Sequence, residues 1–416
     1  MKNFLGSGAL SVISKLTGTF FSSISMLLVA RYYGVDLVGQ YGLLIRLLNI
    51  LTILALLGLP QFIVRGTAVF ETQKNHKRSN VFLRMALNQS LKVSLLLSFV
   101  LIIVFFTSKY FSLSLEQEVL LFAALSLPFY ALARIFSSLH IGMKKAWKGN
   151  LMDNGIFSFI LAIALAICIL GRVKVDVLSL FTMIVVSKFI SVFISYLWSE
   201  QKVVLLQNAL RSGRIWIEKN LLFSSLVFVM LSNADGLILN FFVSKNELGV
   251  YVICSRVTMS ASLVANSLAS VYSPHLASSY SNKNWEQFKS VALYSVKVGG
   301  VLSLLFVATI FFFGDVILSI FNVKSEMAYY LLLILSIGSV VQLVLSFLSQ
   351  ALNMVHLEKI QARISLLSIL VYMVASFILV PLYGVLGMGM VIAFVVLMEN
   401  LLRLYFLKRR TYKLFH

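Results

Sequence analysis

Three bases and one acid stand in this sequence where charge is costly. Arg46 and Arg256 lie inside long apolar runs, Asp235 lies inside another, and Lys15 interrupts the first. An ion inside a hydrocarbon-length segment is retained when it faces a cavity, a partner or a transported group. A guanidinium binds phosphate oxygens through a planar fork of donors and a lysine adds a point charge, so the chemistry on offer is anion binding, phosphate above all. The two arginines repeat in register: Gly39, Tyr41 and Arg46 match Gly249, Tyr251 and Arg256 at one offset of 210. Each arginine stands seven residues past its glycine, roughly 10 Å into its helix. Asp235 precedes the polar turn Ser244-Lys245-Asn246-Glu247 at a similar depth. A structural ion pair with Arg256 across that turn and a coupling role are both open to it. Arg46 has no acid in its own hairpin, because the position matching Asp235 is Ser25.

Helical spacing groups these residues with others. Lys15 shares a face with Thr19, Ser22 and Met26, Arg46 with Asn49 and Ile53, and Arg256 with Ser260, Leu263 and Ser267. A partly polar stripe on an apolar helix turns toward protein or water rather than lipid. Ser and Thr stripes also serve plain helix–helix contacts, so the charged members carry the case. Lys188, roughly 18 Å into its helix, joins Arg46, Arg256, Lys15, Asn49 and Ser260 as a residue expected to line a hydrated cavity between two lobes. Lys92, Lys297 and Arg134 are expected to snorkel, and Glu399 to pair with Arg403 four residues on.

The elements that position them follow from composition. Of 416 residues, 60% are apolar and 12% charged, with mean hydropathy +0.94, far from the soluble norm of about half and a quarter. The chain is therefore expected to be an all-α integral membrane protein. Runs of roughly 20 apolar residues mark spans, and twelve are read: 9–30, 39–60, 84–107, 118–140, 151–170, 176–198, 220–243, 249–272, 288–313, 328–351, 361–380 and 385–406. Pro60 and Pro274 are read as closing the second span of each half. Residues 1–198 form an N-terminal lobe of six spans, 199–219 a basic cytoplasmic linker, and 220–416 a second lobe of six. Six spans per lobe make a parallel, pseudo-symmetric repeat.

The charge of +20 does not require nucleic acid. Of the 35 Lys and Arg, 22 fall in loops on the side of the N-terminus, six on the other side and seven inside spans. Positive loops stay inside, so both termini are expected in the cytoplasm. Cys168 and Cys254 sit in apolar runs, and neither they nor the five histidines have metal spacing. Without a catalytic motif such as DxD or a long outer loop, an enzyme is not expected. No cofactor is expected either, with a proton or sodium gradient or the membrane potential driving transport.

The stretch NADGLILNFFVSKNELGVYVICSR with the later Pro274 resembles the seventh and eighth helices of Wzx-type O-antigen and capsular-polysaccharide flippases. Their superfamily includes multidrug and toxin extruders (MATE) and lipid II flippases. The resemblance implies a V-shaped, two-lobed, MATE-like fold with alternating access. It also implies an undecaprenyl-pyrophosphate-linked oligosaccharide as substrate, whose pyrophosphate is bound by a cationic cavity matching Lys15, Arg46 and Arg256. A bacterial cytoplasmic (inner) membrane location, a monomer, and a polymerase and chain-length proteins as pathway partners follow from the same resemblance. The other reading is a multidrug or cation extruder of the same fold, which the scarcity of unpaired acids disfavours.

Overall fold

The computed structural model describes residues 2–72, 76–111, 117–199, 219–282, 284–355 and 357–415. The expected linker, 199–219, falls almost wholly outside them. Every regular element among the described residues is helical. The chain divides into two compact units, Met1–Phe241 and Phe242–His416.

The first unit holds α1 (Lys2–Tyr33), α2 (Val35–Leu56), α3 (Leu59–Thr72), α4 (His76–Phe111), α5 (Gln117–Gly142) and α6 (Ala146–Asn150). A π turn (Leu151–Gly155) leads into α7 (Ile156–Leu170), followed by α8 (Val177–Trp198) and α9 (Lys219–Leu239). α2 stops at Leu56 because Leu57 turns left-handed (φ 50°) and returns its N–H to the Ile53 carbonyl at 3.3 Å. Pro60 then stands in the first turn of α3, where its missing N–H is harmless. Asp176 begins α8 through a capping box with Ser179, a device worth about 1 kcal/mol. α5 is the central helix, buried along most of its length and packed on α2, α3, α4 and α8. Leu56, Ile63, Leu87, Phe136 and Met152 belong to one apolar cluster of the unit. Lipid rather than protein covers much of the rest: Leu96, Phe99 and Phe106 on α4 and Leu170 on α7 are exposed, as membrane-facing helices require. α9 packs along α2 and belongs to this unit by its contacts, although the sequence repeat groups it with the second lobe.

The second unit holds α10 (Lys245–Ser281), α11 (Trp285–Ile320), α12 (Glu326–Val344), α13 (Phe347–Met354) and α14 (Glu358–Phe415). The polar turn at 244–247 is a capping box in which Ser244 and Glu247 satisfy each other's backbone N–H, so α10 begins at a defined register ahead of Arg256. The backbone of α10 runs through residue 274 to Ser281, past the place where the sequence ends the helix. α14 is a hairpin. Arg403 Nε donates to Gln361 Oε1 at 3.2 Å, yet a straight helix would hold these residues about 60 Å apart. The chain reverses at Gly384 (φ 55°, ψ −132°), a conformation open to glycine alone, and a side chain at Gly387 would strike the Leu379 carbonyl at 2.3 Å.

Ten helices among the described residues are long and apolar enough to cross a membrane. The difference from twelve has two sources. The spans expected at 361–380 and 385–406 are the two arms of α14, and the apolar part of α9 is the shorter Ser225–Leu239.

Candidate functional site

Two largely buried charges of the first unit meet on the seam between α2 and α9. Arg46 Nε donates to Asp235 Oδ1 at 3.1 Å and Arg46 Nη2 donates to Oδ2 at 3.2 Å. The two side chains are only 11% and 10% exposed. Away from water each charge alone would carry a desolvation cost of several kcal/mol, which a two-pronged pair offsets. Antiparallel rungs hold the seam in register. Asn49 Nδ2 donates to Asn233 Oδ1 at 2.9 Å, Asn233 Nδ2 donates back to the Val229 carbonyl at 3.0 Å, and Gln61 Nε2 reaches Ser225 Oγ at 3.5 Å. Gly236 lets the arm of Arg46 lie across α9, since a Cβ there would come within 2.4 Å of Arg46 Cδ.

The sequence gives Arg46 no acid in its own hairpin; the acid it pairs with comes from α9. Depth along a hairpin says nothing about the direction in which a side chain points. The face of α9 that carries Asn233, Asp235 and Gly236 is packed on α2, whose sequence lies some 190 residues away. Asn233 and Gly236 escaped the sequence reading. Their signal was present: Asn233, Asp235 and Gly236 fall within four consecutive positions of an apolar helix.

A second cluster lies elsewhere in the first unit. Lys188 on α8 is 2% exposed, and its Nζ donates to the Asp153 carbonyl at 2.7 Å. Arg134 on α5 pairs with the Asp153 carboxylate, so Arg134 is anchored by an acid rather than snorkelling. The expectation that Lys188 lines an open cavity is thereby corrected, because its ammonium is sealed among α5, the π turn and α7. Lys15 is exposed on α1, its carbonyl accepting from Thr19 Oγ1 at 3.0 Å. In the second unit, Arg256 is half-buried on α10, and Ser260 is exposed with its hydroxyl turned back to the Val257 carbonyl at 2.7 Å. Of the expected residues, then, Arg46, Asn49 and Asp235 converge and Lys188 joins Asp153, while Lys15 lies on α1 and Arg256 and Ser260 lie on α10. The Glu399–Arg403 pair forms as its spacing predicts.

What the seam provides is a guanidinium held by a carboxylate inside a membrane helix bundle. Residues 28–298 match the family model described as polysaccharide biosynthesis protein. The chain belongs to that family. Residues 221–378 of this family member also match the MatE model. It is 26% identical over 190 residues to the capsular polysaccharide biosynthesis protein CapF of Staphylococcus aureus, a match covering 45% of this chain and 48% of that one. It is 24% identical over 174 residues to the probable low-salt glycan biosynthesis flippase Agl15 of Haloferax volcanii, covering 42% and 37%. The matched stretches thus span half or less of these relatives' length. Among solved structures, an inward-facing multidrug resistance MATE family transporter of the MOP superfamily aligns with TM-score 0.65 and 16% identity over 97% of this chain and 98% of that one. The lipid II flippase MurJ in an inward closed conformation aligns with TM-score 0.68 and 14% identity over 97% and 87%. At such identities the likeness is one of fold, and the polysaccharide biosynthesis protein has the all-helical membrane fold of these transporters.

Proposed function

We propose that this protein is a flippase, not an enzyme. It carries an undecaprenyl-pyrophosphate-linked oligosaccharide from the cytoplasmic to the outer leaflet of the bacterial cytoplasmic membrane by alternating access. With the arms of α14 counted separately and α9 as a pass, the chain crosses twelve times and both termini are cytoplasmic, as the loop charges favour. The observation that carries the reading is the forked Arg46–Asp235 pair. The carboxylate takes the guanidinium as two phosphate oxygens would, so a diphosphate can replace Asp235 on the same donors, the displaced carboxylate passing to water or taking up a proton. Arg256 is the corresponding base of the second repeat, and Lys15 and Asn49 in the first unit and Ser260 in the second are the other polar residues assigned to the transport path. Arginine does not discharge near neutrality, so release on the far side comes from a change of geometry driven by an ion gradient or the membrane potential. Support comes also from the family and from relatives named for capsular polysaccharide biosynthesis and glycan flipping.

A cation or multidrug extruder of the same fold is the rival. Such a protein needs an acid available to its substrate, and Asp235 is engaged by Arg46. The deciding experiment complements a flippase-deletion strain with wild type and with Arg46→Ala at matched protein levels. Surface polysaccharide restored by wild type and lost in the variant supports the flippase. Altered accumulation of cationic dyes with no effect on polysaccharide supports the extruder.

A further inference from the structure

Lys188 lies at the middle of α8, about 15 Å from either end, beyond the reach by which a lysine brings its ammonium to an interface. That ammonium donates a hydrogen bond to the Asp153 carbonyl at 2.7 Å. The rest of its surroundings are aromatic: Nζ sits 4.3 Å from the centre of the Tyr130 ring and 5.0 Å from that of Phe157. These two rings meet each other edge to face at 5.9 Å, so their faces present two walls to one cation. The carbonyl belongs to the π turn Leu151–Gly155, a wider turn that interrupts the regular α ladder and is frequent at functional sites. On the outer side the Asp153 carboxylate, paired with the 44%-exposed Arg134, adds negative charge close to the same carbonyl. Lysine was not needed to fill this volume. An apolar side chain would have done so without the cost of a buried charge.

We propose that Asp153 O, Tyr130 and Phe157 form a cage for a primary ammonium ion, and that Lys188 is its tethered occupant. The first unit thus carries its own internal cation where other designs would need a dissolved one. Lys188 is a positioning residue: its charge holds the π turn against α5 and α8, and the turn in turn presents Asp153 to Arg134. The cage lies within one unit and the inference does not depend on what the protein transports.

Chemical rescue tests this on the purified full chain. Lys188→Ala removes the three methylenes and nitrogen that propylammonium would restore, and 1-propanol is the uncharged probe of matching size. We expect Lys188→Ala and Lys188→Met both to lower the melting temperature. Propylammonium should raise that of the Ala variant by about 2–4 °C, with no rise from 1-propanol and none in wild type. A Met variant as stable as wild type, or equal rescue by both probes, would overturn the proposal by showing that volume matters and charge does not. If neither lysine variant folds, Phe157 replaced by mono-, di- and trifluorophenylalanine keeps the shape while progressively weakening the ring face. The melting temperature should then fall in step with fluorination, and a flat series overturns the cage.

Discussion

Arg46 on α2 and Asp235 on α9 share two hydrogen bonds of 3.1 and 3.2 Å in a seam from which water is largely excluded. Removing either partner strands the other. Arg46→Leu and Asp235→Leu should each destabilise the protein by roughly 3–5 kcal/mol, and the double variant by much less than their sum. Denaturant unfolding of the purified variants reads the coupling. Additive losses would mean that the pair is not a unit. The double variant should still be inactive in export, because a stable apolar seam has no group to offer a phosphate.

Gly236 makes the fork possible by leaving room for the arm of Arg46. A methyl group there meets a side chain rather than backbone, so Arg46 shifts and α9 stays in place. Gly236→Ala should cost little stability, on the order of 1 kcal/mol, yet lower surface polysaccharide at least several-fold in the complemented deletion strain. Normal export from Gly236→Val would show that the placement of the guanidinium is not critical.

Lysine keeps the charge at an arginine position and loses the fork. Arg46→Lys should be partly active and Arg46→Ala nearly inactive in the same strain, with the same order at Arg256. If lysine and alanine variants are equally impaired at both positions, point charge contributes nothing. If both lysine variants match wild type, two-pronged recognition is not used.

Reporter fusions after Arg172 and after Lys245 should report an outer location, because the turns that hold them are poor in Lys and Arg beside the cytoplasmic loops. A cytoplasmic signal at either site would invert part of the map and move the Arg46 end of the seam toward the cytoplasm.

The membrane class and the helices, though not most of their limits, were determined by the sequence alone, because hydrocarbon permits only long apolar segments with satisfied backbones and those segments are local. The capping boxes at Asp176 and Ser244 are local too, and the Glu399–Arg403 pair follows from one helical turn. The register of Gly39, Tyr41 and Arg46 with Gly249, Tyr251 and Arg256 marked the arginines, and it did so without any knowledge of their neighbours. What the tertiary structure decided is who faces whom. Depth along a helix is written in residue number, but direction around it is set by packing against distant segments. So Asp235 turned to Arg46 on a distant helix, Lys188 turned inward to a carbonyl of the π turn, and Arg134 found Asp153. The two arms of α14 also came together only because Gly384 can take a backbone conformation that reverses the chain, a property of one residue that acquires meaning when Gln361 and Arg403 are seen side by side.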